Sequence, residues 1–139
     1  MAQTTFNGPV ISQNGFITGH QVTAANAINS SATATAAQVA TGYITSTSAA
    51  GTVITLPTGT LLGTALSAVQ GTAFDLYIDN TAGASTVTIA VAVNGILSTA
   101  AADTAGSFGD LTVASGVTGV GRFTLMFSSA TAYVFTRTA

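Results

Sequence analysis

The sequence carries very little charge. Only 4% of its 139 residues are charged, whereas about a quarter are charged in an ordinary globular protein. Lysine, glutamate, cysteine and tryptophan are absent, and there is a single histidine, His20. The complete set of charged side chains is Asp75, Asp79, Asp103, Asp110, Arg122 and Arg137.

These absences exclude several kinds of chemistry within one chain. Without cysteine, and with one histidine, a Cys/His zinc site cannot form. Without lysine there is neither a Schiff-base nucleophile nor a P-loop, and His20 is the one ordinary base that could activate a serine. Two arginines and a net charge of −2 are too few to bind nucleic acid through its phosphates. The sequence therefore predicts a protein that is not an enzyme, with no cofactor, no metal and no nucleic-acid partner.

The mean hydropathy is high, at +0.59, but no run of about 18 apolar residues is present. The N-terminus, residues 1–5, has neither the basic nor the apolar region of a signal peptide. We therefore predict synthesis in the cytoplasm and no membrane partner. Because a surface with so little charge promotes association, we expect much of it to be buried in an oligomer or a lattice. The alternative is a monomer kept soluble by its threonine, serine and asparagine side chains.

Two zones differ in their hydrophobic pattern. Residues 1–38 have no sustained periodicity, and isolated apolar residues among glycine and proline cannot form a core of their own. They can lie as an extended arm along a neighbouring protein. Within this zone, residues 26–38 are rich in alanine, serine, threonine and asparagine, which fits either a helical turn or a flexible linker. The residues predicted to bind a partner through the arm are Phe6, Pro9, Val10, Ile11, Phe16 and Ile17.

Residues 39–139 alternate with period two, which is typical of β-strands with one buried face. We predict that Phe74, Leu76 and Ile78 point inward, and the other strands follow the same rule. The inward residues of the later strands are predicted to be Val87, Ile89, Val91, Val93, Phe123, Leu125 and Phe127. The predicted strands cover 39–47, 52–56, 74–79, 86–93, 96–97, 111–113, 122–128 and 133–136.

The turn and helix signals complete the predicted fold. Residues 80–85 form a polar hairpin loop, and Asn94-Gly95 favours a type I′ hairpin. Apolar residues at helical spacing predict a short helix near 59–69, with Gly71 at its C-cap. The predicted fold is all-β: an antiparallel β-sandwich, jelly-roll-like, with one short helix and an extended N-terminal arm.

Few side chains are candidates for a site. Asp75 and Asp79 lie four residues apart on one strand and therefore share a face. Paired carboxylates can act as acid and base or bind Ca²⁺, but the partner residues and an EF-hand loop are missing. We therefore interpret them as exposed charges, with Arg122 contacting a carboxylate across strands or subunits. The glycines of 116–121 have the spacing of a phosphate loop, but they lie between two strands and predict a tight connection.

A longer pattern carries a resemblance to a known group of proteins. It begins with Ile54-Thr55-Leu56-Pro57, continues after the helix through residues 70–76, 78–84 and 86–89, and closes with Tyr133-Val134-Phe135-Thr136-Arg137. The chain resembles small capsid decoration (cement) proteins of tailed bacteriophages, and its opening Phe6-Asn7-Gly8-Pro9-Val10 is similar to phage head proteins with an N-terminal arm. Thr72 stands where the family pattern usually has aspartate.

The resemblance implies a homotrimer that binds the major capsid protein on the exterior of the virion and braces the shell. It also implies synthesis in the cytoplasm of the host. An alternative is a receptor- or glycan-binding module of a head fibre or tail, which would need an exposed aromatic platform. The tyrosines that could supply it are Tyr43, Tyr77 and Tyr133. A glycan hydrolase is a third possibility, and the missing glutamate argues against it.

Overall fold

The computed structural model describes residues 26–97 and 111–139. In chain order, the strands are β1 (Ala32–Thr33), β2 (Tyr43–Thr45), β3 (Thr52–Thr55), β4 (Ala73–Asp79), β5 (Val87–Ala90), β6 (Gly95–Leu97), β7 (Thr112–Val113), β8 (Val120–Ser129) and β9 (Ala132–Arg137). The helices are α1 (Ala36–Ala40) and α2 (Gly59–Leu66), and a 3₁₀ turn covers Gly116–Thr118.

The strands form two mixed sheets, with orders β1-β3-β5-β7 and β2-β4-β8-β9-β6. The prediction of a sheet-rich chain is confirmed. Antiparallel pairing was predicted throughout, and it occurs in β4–β8, β8–β9 and β5–β7. It is wrong for β1–β3, β2–β4, β3–β5 and β6–β9, which are parallel.

The chain changes sheet at each step from β1 to β8. In β1–β3, β2–β4 and β3–β5, the two neighbouring strands are separated in sequence by one strand of the other sheet, and they run in the same direction. β5 and β7 have the same separation but are antiparallel. The loop at 80–85 was predicted to close a hairpin, but it connects β4 of the five-stranded sheet to β5 of the four-stranded sheet. Local turn residues mark where a strand ends, and they carry no information about which sheet the next strand joins.

The inner faces of both sheets contribute to one hydrophobic core. In the five-stranded sheet, the predicted alternation is confirmed for Leu76, Ile78 and the three inward residues of β8. Phe123 stacks on Phe135 of β9, with ring centroids 5.1 Å apart and nearly parallel planes. The four-stranded sheet adds the following buried residues: Ile54, Val87, Ile89 and Val113.

The alternation of inward and outward side chains predicted for residues 86–93 extends beyond the end of the strand. Val87 and Ile89 are buried, Val91 is partly buried, and Val93 is 71% exposed, because β5 ends at Ala90.

The Asn94-Gly95 hairpin is also a wrong prediction. A type I′ turn needs a positive φ at both central residues of the turn. Here the backbone N–H of Gly95 donates to the carbonyl of Ala92, and the central residues are Val93 and Asn94, of which only Asn94 has a positive φ, 63°. β6 then pairs in parallel with β9 and does not fold back on β5.

Residues 26–38 belong to the folded part of the chain. Ile28 and Ala34 lie in the core, and β1 pairs with β3. The Ala-rich stretch forms α1, which begins with a capping box between Thr35 and Gln38. The predicted boundary at residue 38 therefore falls inside α1, and Val39, predicted to start a strand, is helical and buried. The rest of the predicted arm, residues 1–25, lies outside the described residues.

The predicted helix near 59–69 is present as α2, but it is shorter. The side chain of Thr58 accepts a hydrogen bond from the backbone of Leu61, which caps the N-terminus. The helix ends at Ser67, whose φ of 50° is left-handed, and not at Gly71. Two glycines in α2, Gly59 and Gly63, let the helix approach the turn between β8 and β9. None of the described helices is long and apolar enough to span a membrane.

Tyr133 fastens the entry of α2 to β9. Its ring is buried, and its hydroxyl donates a hydrogen bond of 3.0 Å to the carbonyl of Pro57. Burial raises the pKa of Tyr133 from 10.0 to about 12, because the phenolate would lose its hydration.

We expect alkaline pH to destabilise the fold through Tyr133. A raised folded-state pKa means that this contribution is complete below pH 10 and is lost as the pH rises from 10 towards 12, at about 1 kcal/mol per pH unit. The free energy of unfolding of the Tyr133→Phe variant should be about 1 kcal/mol lower than that of the unmodified chain at neutral pH, and it should decline less steeply above pH 10. Urea unfolding of both proteins at pH 8, 10 and 11 measures this. Parallel pH profiles would contradict it.

Candidate partner-binding surface

The charged residues singled out in the sequence lie on one face of the five-stranded sheet. We call this surface the outer face: the side chains of β2, β4, β8 and β9 that point away from the core. Asp75 and Asp79 are both on the outer face of β4, as predicted, and Arg122 is on the neighbouring strand β8, opposite Tyr77. Tyr43 of β2 is the partner of Tyr77 on the other side.

Tyr43 and Tyr77 form an exposed aromatic pair. They are register partners in the parallel β2–β4 ladder, so their side chains leave the sheet next to each other. Their exposed fractions are almost equal, at 39% and 40%. Tyr133 is buried, so two of the three tyrosines in the chain lie together on the outer face.

Asp79 holds the Tyr43 side chain in place. The Tyr43 hydroxyl donates to Oδ2 of Asp79 at 2.5 Å, and Oδ1 accepts from the backbone and the hydroxyl of Thr81. The hydrogen bonds from Thr81 and then Tyr43 lower the pKa of Asp79, since they favour the carboxylate. The same contact, with Asp79 as acceptor, raises the pKa of Tyr43.

Asp75 and Arg122 also have hydroxyl partners in their own chain. The Thr124 hydroxyl donates to Oδ1 of Asp75 at 2.6 Å. Nε of Arg122 donates to the Thr138 hydroxyl at 3.2 Å. These bonds fix both side chains on the outer face, and Asp75 remains exposed.

A cavity of about 490 Å³ opens beside the aromatic pair. It lies where the α1–β2 turn meets β4, and Gly42 in that turn has a positive φ of 74°. The Gly42 carbonyl accepts a hydrogen bond from the backbone of Tyr77, which joins the turn to β4. The lining residues are Thr41, Gly42, Tyr43, Ala73, Phe74, Asp75 and Tyr77. As far as the described residues go, the wall therefore combines aromatic rings with one carboxylate and has no cationic side chain.

A buried asparagine, Asn26, stabilises the α1–β2 turn through hydrogen bonds. Nδ2 of Asn26 faces three acceptors within 3 Å: the carbonyls of Gln38 and Tyr43 and the hydroxyl of Thr41. Asn26 thus ties the chain before β1 to the α1–β2 turn, which carries Tyr43. No local pattern indicates this role, because Asn26 stands among residues that suit a linker equally well.

A second buried asparagine joins the two sheets. Asn80 follows β4 and is fully buried. Its Nδ2 lies 2.8–3.1 Å from the carbonyls of Ser85, Val113 and Ala114, and Val113 belongs to β7 of the other sheet. The sequence places Asn80 in a polar loop, where asparagine is common for its turn propensity alone.

Several predicted site residues belong to other parts of the sequence. The arm residues Phe6, Pro9, Val10, Ile11, Phe16 and Ile17, together with His20, lie outside the described residues. The glycine-rich stretch forms the 3₁₀ turn between β7 and β8, as the predicted tight connection requires. Within 26–97 and 111–139, no group of three or more His, Cys, Asp or Glu side chains could hold a metal ion.

Comparisons of the chain with models of known protein families, with curated proteins and with solved structures found no match. We therefore infer the function of the chain from the chemistry of this surface and from the resemblance of its sequence to capsid decoration proteins.

Proposed function

We propose that this chain is a structural protein of a tailed-bacteriophage virion: a decoration (cement) protein that binds the major capsid protein on the capsid exterior as a homotrimer. It is made in the host cytoplasm and stabilises the shell without catalysis or a cofactor. The sequence resemblance and the unusually uncharged surface support this proposal.

The observation that carries the proposal is the amount of apolar side chain left exposed on a chain with six charges. Among the residues that the structure describes, nine large apolar or aromatic residues are more than one-third exposed. They lie on the outer face, on β3 of the four-stranded sheet, on α2 and in loops, and burying such residues at interfaces contributes roughly 25 cal/mol per Å². The exposed residues are Tyr43, Val53, Leu61, Val69, Tyr77, Val93, Val117, Val120 and Met126.

We also propose that the two sheets pack as a β-sandwich. Their inner faces share one core, and hydrogen bonds cross between them at Asn80 and at Arg137, whose Nη1 donates to the Thr112 carbonyl. The mixed pairing departs from the wholly antiparallel pattern of a jelly roll. Sheets that share a core in this way form a rigid body for a neighbour to dock on.

Two sets of residues are proposed to make the partner contacts. The arm, through its six apolar residues between Phe6 and Ile17, grips the shell protein. Asp75, Asp79 and Arg122 contribute polar contacts at subunit boundaries from the outer face. Three copies would combine modest individual contacts into a strong attachment, because bound neighbours raise the effective concentration of each contact.

We expect the purified chain to sediment as a trimer and to co-purify with intact virions in near-stoichiometric ratio to the major shell protein. Deleting residues 1–20 should weaken attachment to decoration-free shells about tenfold or more, while the circular dichroism and the melting temperature stay close to those of the full chain. A 13.6 kDa monomer at micromolar concentration, or full-strength attachment of the truncated chain, would contradict the proposal.

The second candidate is a receptor- or glycan-binding module of a head fibre or tail. The pairing of Tyr43 with Tyr77 on the outer face favours it, because such a module needs an exposed aromatic platform. The carboxylate of Asp75 beside the pair supports a cationic ligand in preference to a neutral sugar, and the experiment described below separates the two.

A further inference from the structure

We infer that the cavity lined by Tyr43, Asp75 and Tyr77 binds the side chain of a lysine or arginine presented by a partner protein. This inference deepens the proposed function: that the partner is a capsid protein rests on that proposal, whereas the binding site itself does not.

The charge around the cavity favours a cationic ligand. The chain has four acidic residues, and two of them, Asp75 and Asp79, flank Tyr77 on the outer face of one strand. Asp75 lines the cavity directly, and none of the lining residues that the structure describes is cationic. Arg122, opposite Tyr77, is turned to the Thr138 hydroxyl through its Nε. A cation entering the cavity therefore meets a carboxylate and aromatic rings together.

The aromatic pair of Tyr43 and Tyr77 also favours a cationic ligand. Ammonium and guanidinium groups are attracted to tyrosine rings within about 6 Å, and cages of aromatic residues recognise cationic side chains in this way. Tyr43 is restrained at its hydroxyl by Asp79 and at its backbone carbonyl by Asn26. A platform that is already ordered loses little conformational entropy when a ligand binds.

The composition indicates where the cation comes from. The chain has no lysine and two arginines. Arg137 lies over the ring of Phe123, 5.9 Å from its centroid, and donates to the Thr112 carbonyl. Its contacts therefore stabilise the fold. Arg122 is on the same sheet face as the cavity and has its own partner. The occupant is therefore supplied by a different protein.

Tyrosine fluorescence can test this site directly, because the chain has no tryptophan and only three tyrosines. The ligands are Nα-acetyl-lysine amide, Nα-acetyl-arginine amide and the uncharged Nα-acetyl-norleucine amide, titrated into the full chain at low salt. We expect the two cationic ligands to change the emission saturably, and to shift the backbone amide NMR signals of Thr41 and Gly42. The norleucine ligand should do neither, and 0.5 M salt should weaken binding because it screens exposed charges.

Variants assign the effect to the named side chains. Asp75→Asn keeps the shape and removes the charge, and should weaken cation binding about threefold. Tyr77→Leu removes the ring and should weaken it to a similar extent, about threefold, while Tyr77→Phe binds as the unmodified chain does. Val117→Thr, in the 3₁₀ turn and outside the cavity lining, is the matched control and should leave binding unchanged. All variants are first compared by circular dichroism to confirm the fold.

Three results would overturn the inference. They are equal binding of the norleucine ligand, unchanged cation affinity in Asp75→Asn, or saturable binding of methyl glucoside, a neutral sugar, without binding of the cationic ligands. The test is independent of the one for the proposed function. Absence of the chain from virions, with lysine binding intact, would overturn the capsid assignment and leave the cation site standing. Virion association of a chain that shows no preference for cationic ligands would overturn the cation site and leave the capsid assignment standing.

Discussion

The Gly63→Ala variant should be less stable than the unmodified protein by about 2 to 3 kcal/mol. Gly63 lies inside α2, where an alanine ordinarily adds about 1 kcal/mol through helix propensity. Here a Cβ would lie 1.9 Å from the carbonyl oxygen of Ala130 and 3.4 Å from a ring carbon of Phe127. The first neighbour is backbone in the β8–β9 turn and cannot rotate away, so the helix would have to lift from that turn.

The comparison variant is Thr64→Ala, which lies in the same helix and is exposed. It should change stability by no more than about 0.5 kcal/mol. Urea unfolding followed by circular dichroism measures both variants against the unmodified chain. A rise in stability for Gly63→Ala would show that α2 does not approach the β8–β9 turn closely, and the description of this end of the molecule would be wrong.

The free energy of unfolding of the Asn80→Asp variant is expected to be about 3 to 4 kcal/mol lower than that of the unmodified chain at neutral pH. Nδ2 of Asn80 lies among three backbone carbonyls, and the side chain is fully buried. A carboxylate of the same shape has no hydrogen to donate and would place a negative charge against three carbonyl oxygens. Since Val113 belongs to the other sheet, the loss acts on the junction between the sheets.

The loss in Asn80→Asp should depend on pH in a defined direction. Burial and the surrounding carbonyls would raise the folded-state pKa of the new carboxyl above its unfolded value of about 3.9. The penalty is therefore smallest below about pH 4, where the neutral acid can donate one hydrogen bond, and it increases as the pH rises. Unfolding measured at pH 3.5, 5 and 7 follows this trend relative to the unmodified chain.

Asn29→Asp is the matched control for this substitution. Asn29 is exposed, and its Oδ1 accepts from the backbone of Thr47, a bond that a carboxylate can also accept. We expect a change within about 0.5 kcal/mol at pH 7. Similar losses in both variants, or a loss in Asn80→Asp that does not vary with pH, would contradict the assigned role of Asn80.

The sequence was sufficient to predict which residues of a strand face inward. Alternation correctly placed Leu76, Ile78 and Phe123 in the core, because period two follows from strand geometry alone. It also placed Asp75 and Asp79 on one face. These features depend on residues within a few positions of one another, and local spacing determines them.

The features that could not be predicted involve contacts between distant parts of the chain. Tyr43 and Asp79 are 36 positions apart, and Asn80 reaches the carbonyl of Val113, 33 positions away. The cavity beside Tyr77 depends on the parallel pairing of β2 with β4, which no turn signal indicates. Asparagine in a polar loop has the same local signature whether it is exposed or, as with Asn80, buried between the sheets.

The change of sheet at each step from β1 to β8 has a consequence for how the molecule reaches its fold. Among the described connections, β8–β9 is the one hairpin, so it is the one strand pair that can close rapidly from adjacent residues. Each of the other pairs must close a longer loop, and the entropy of closing it slows folding. The strands of the two sheets interleave along the chain, so each sheet takes strands from most of the chain's described length. We therefore expect the two sheets to form together in one cooperative step, and a chain cut at any point between β2 and β7 would leave both of them incomplete.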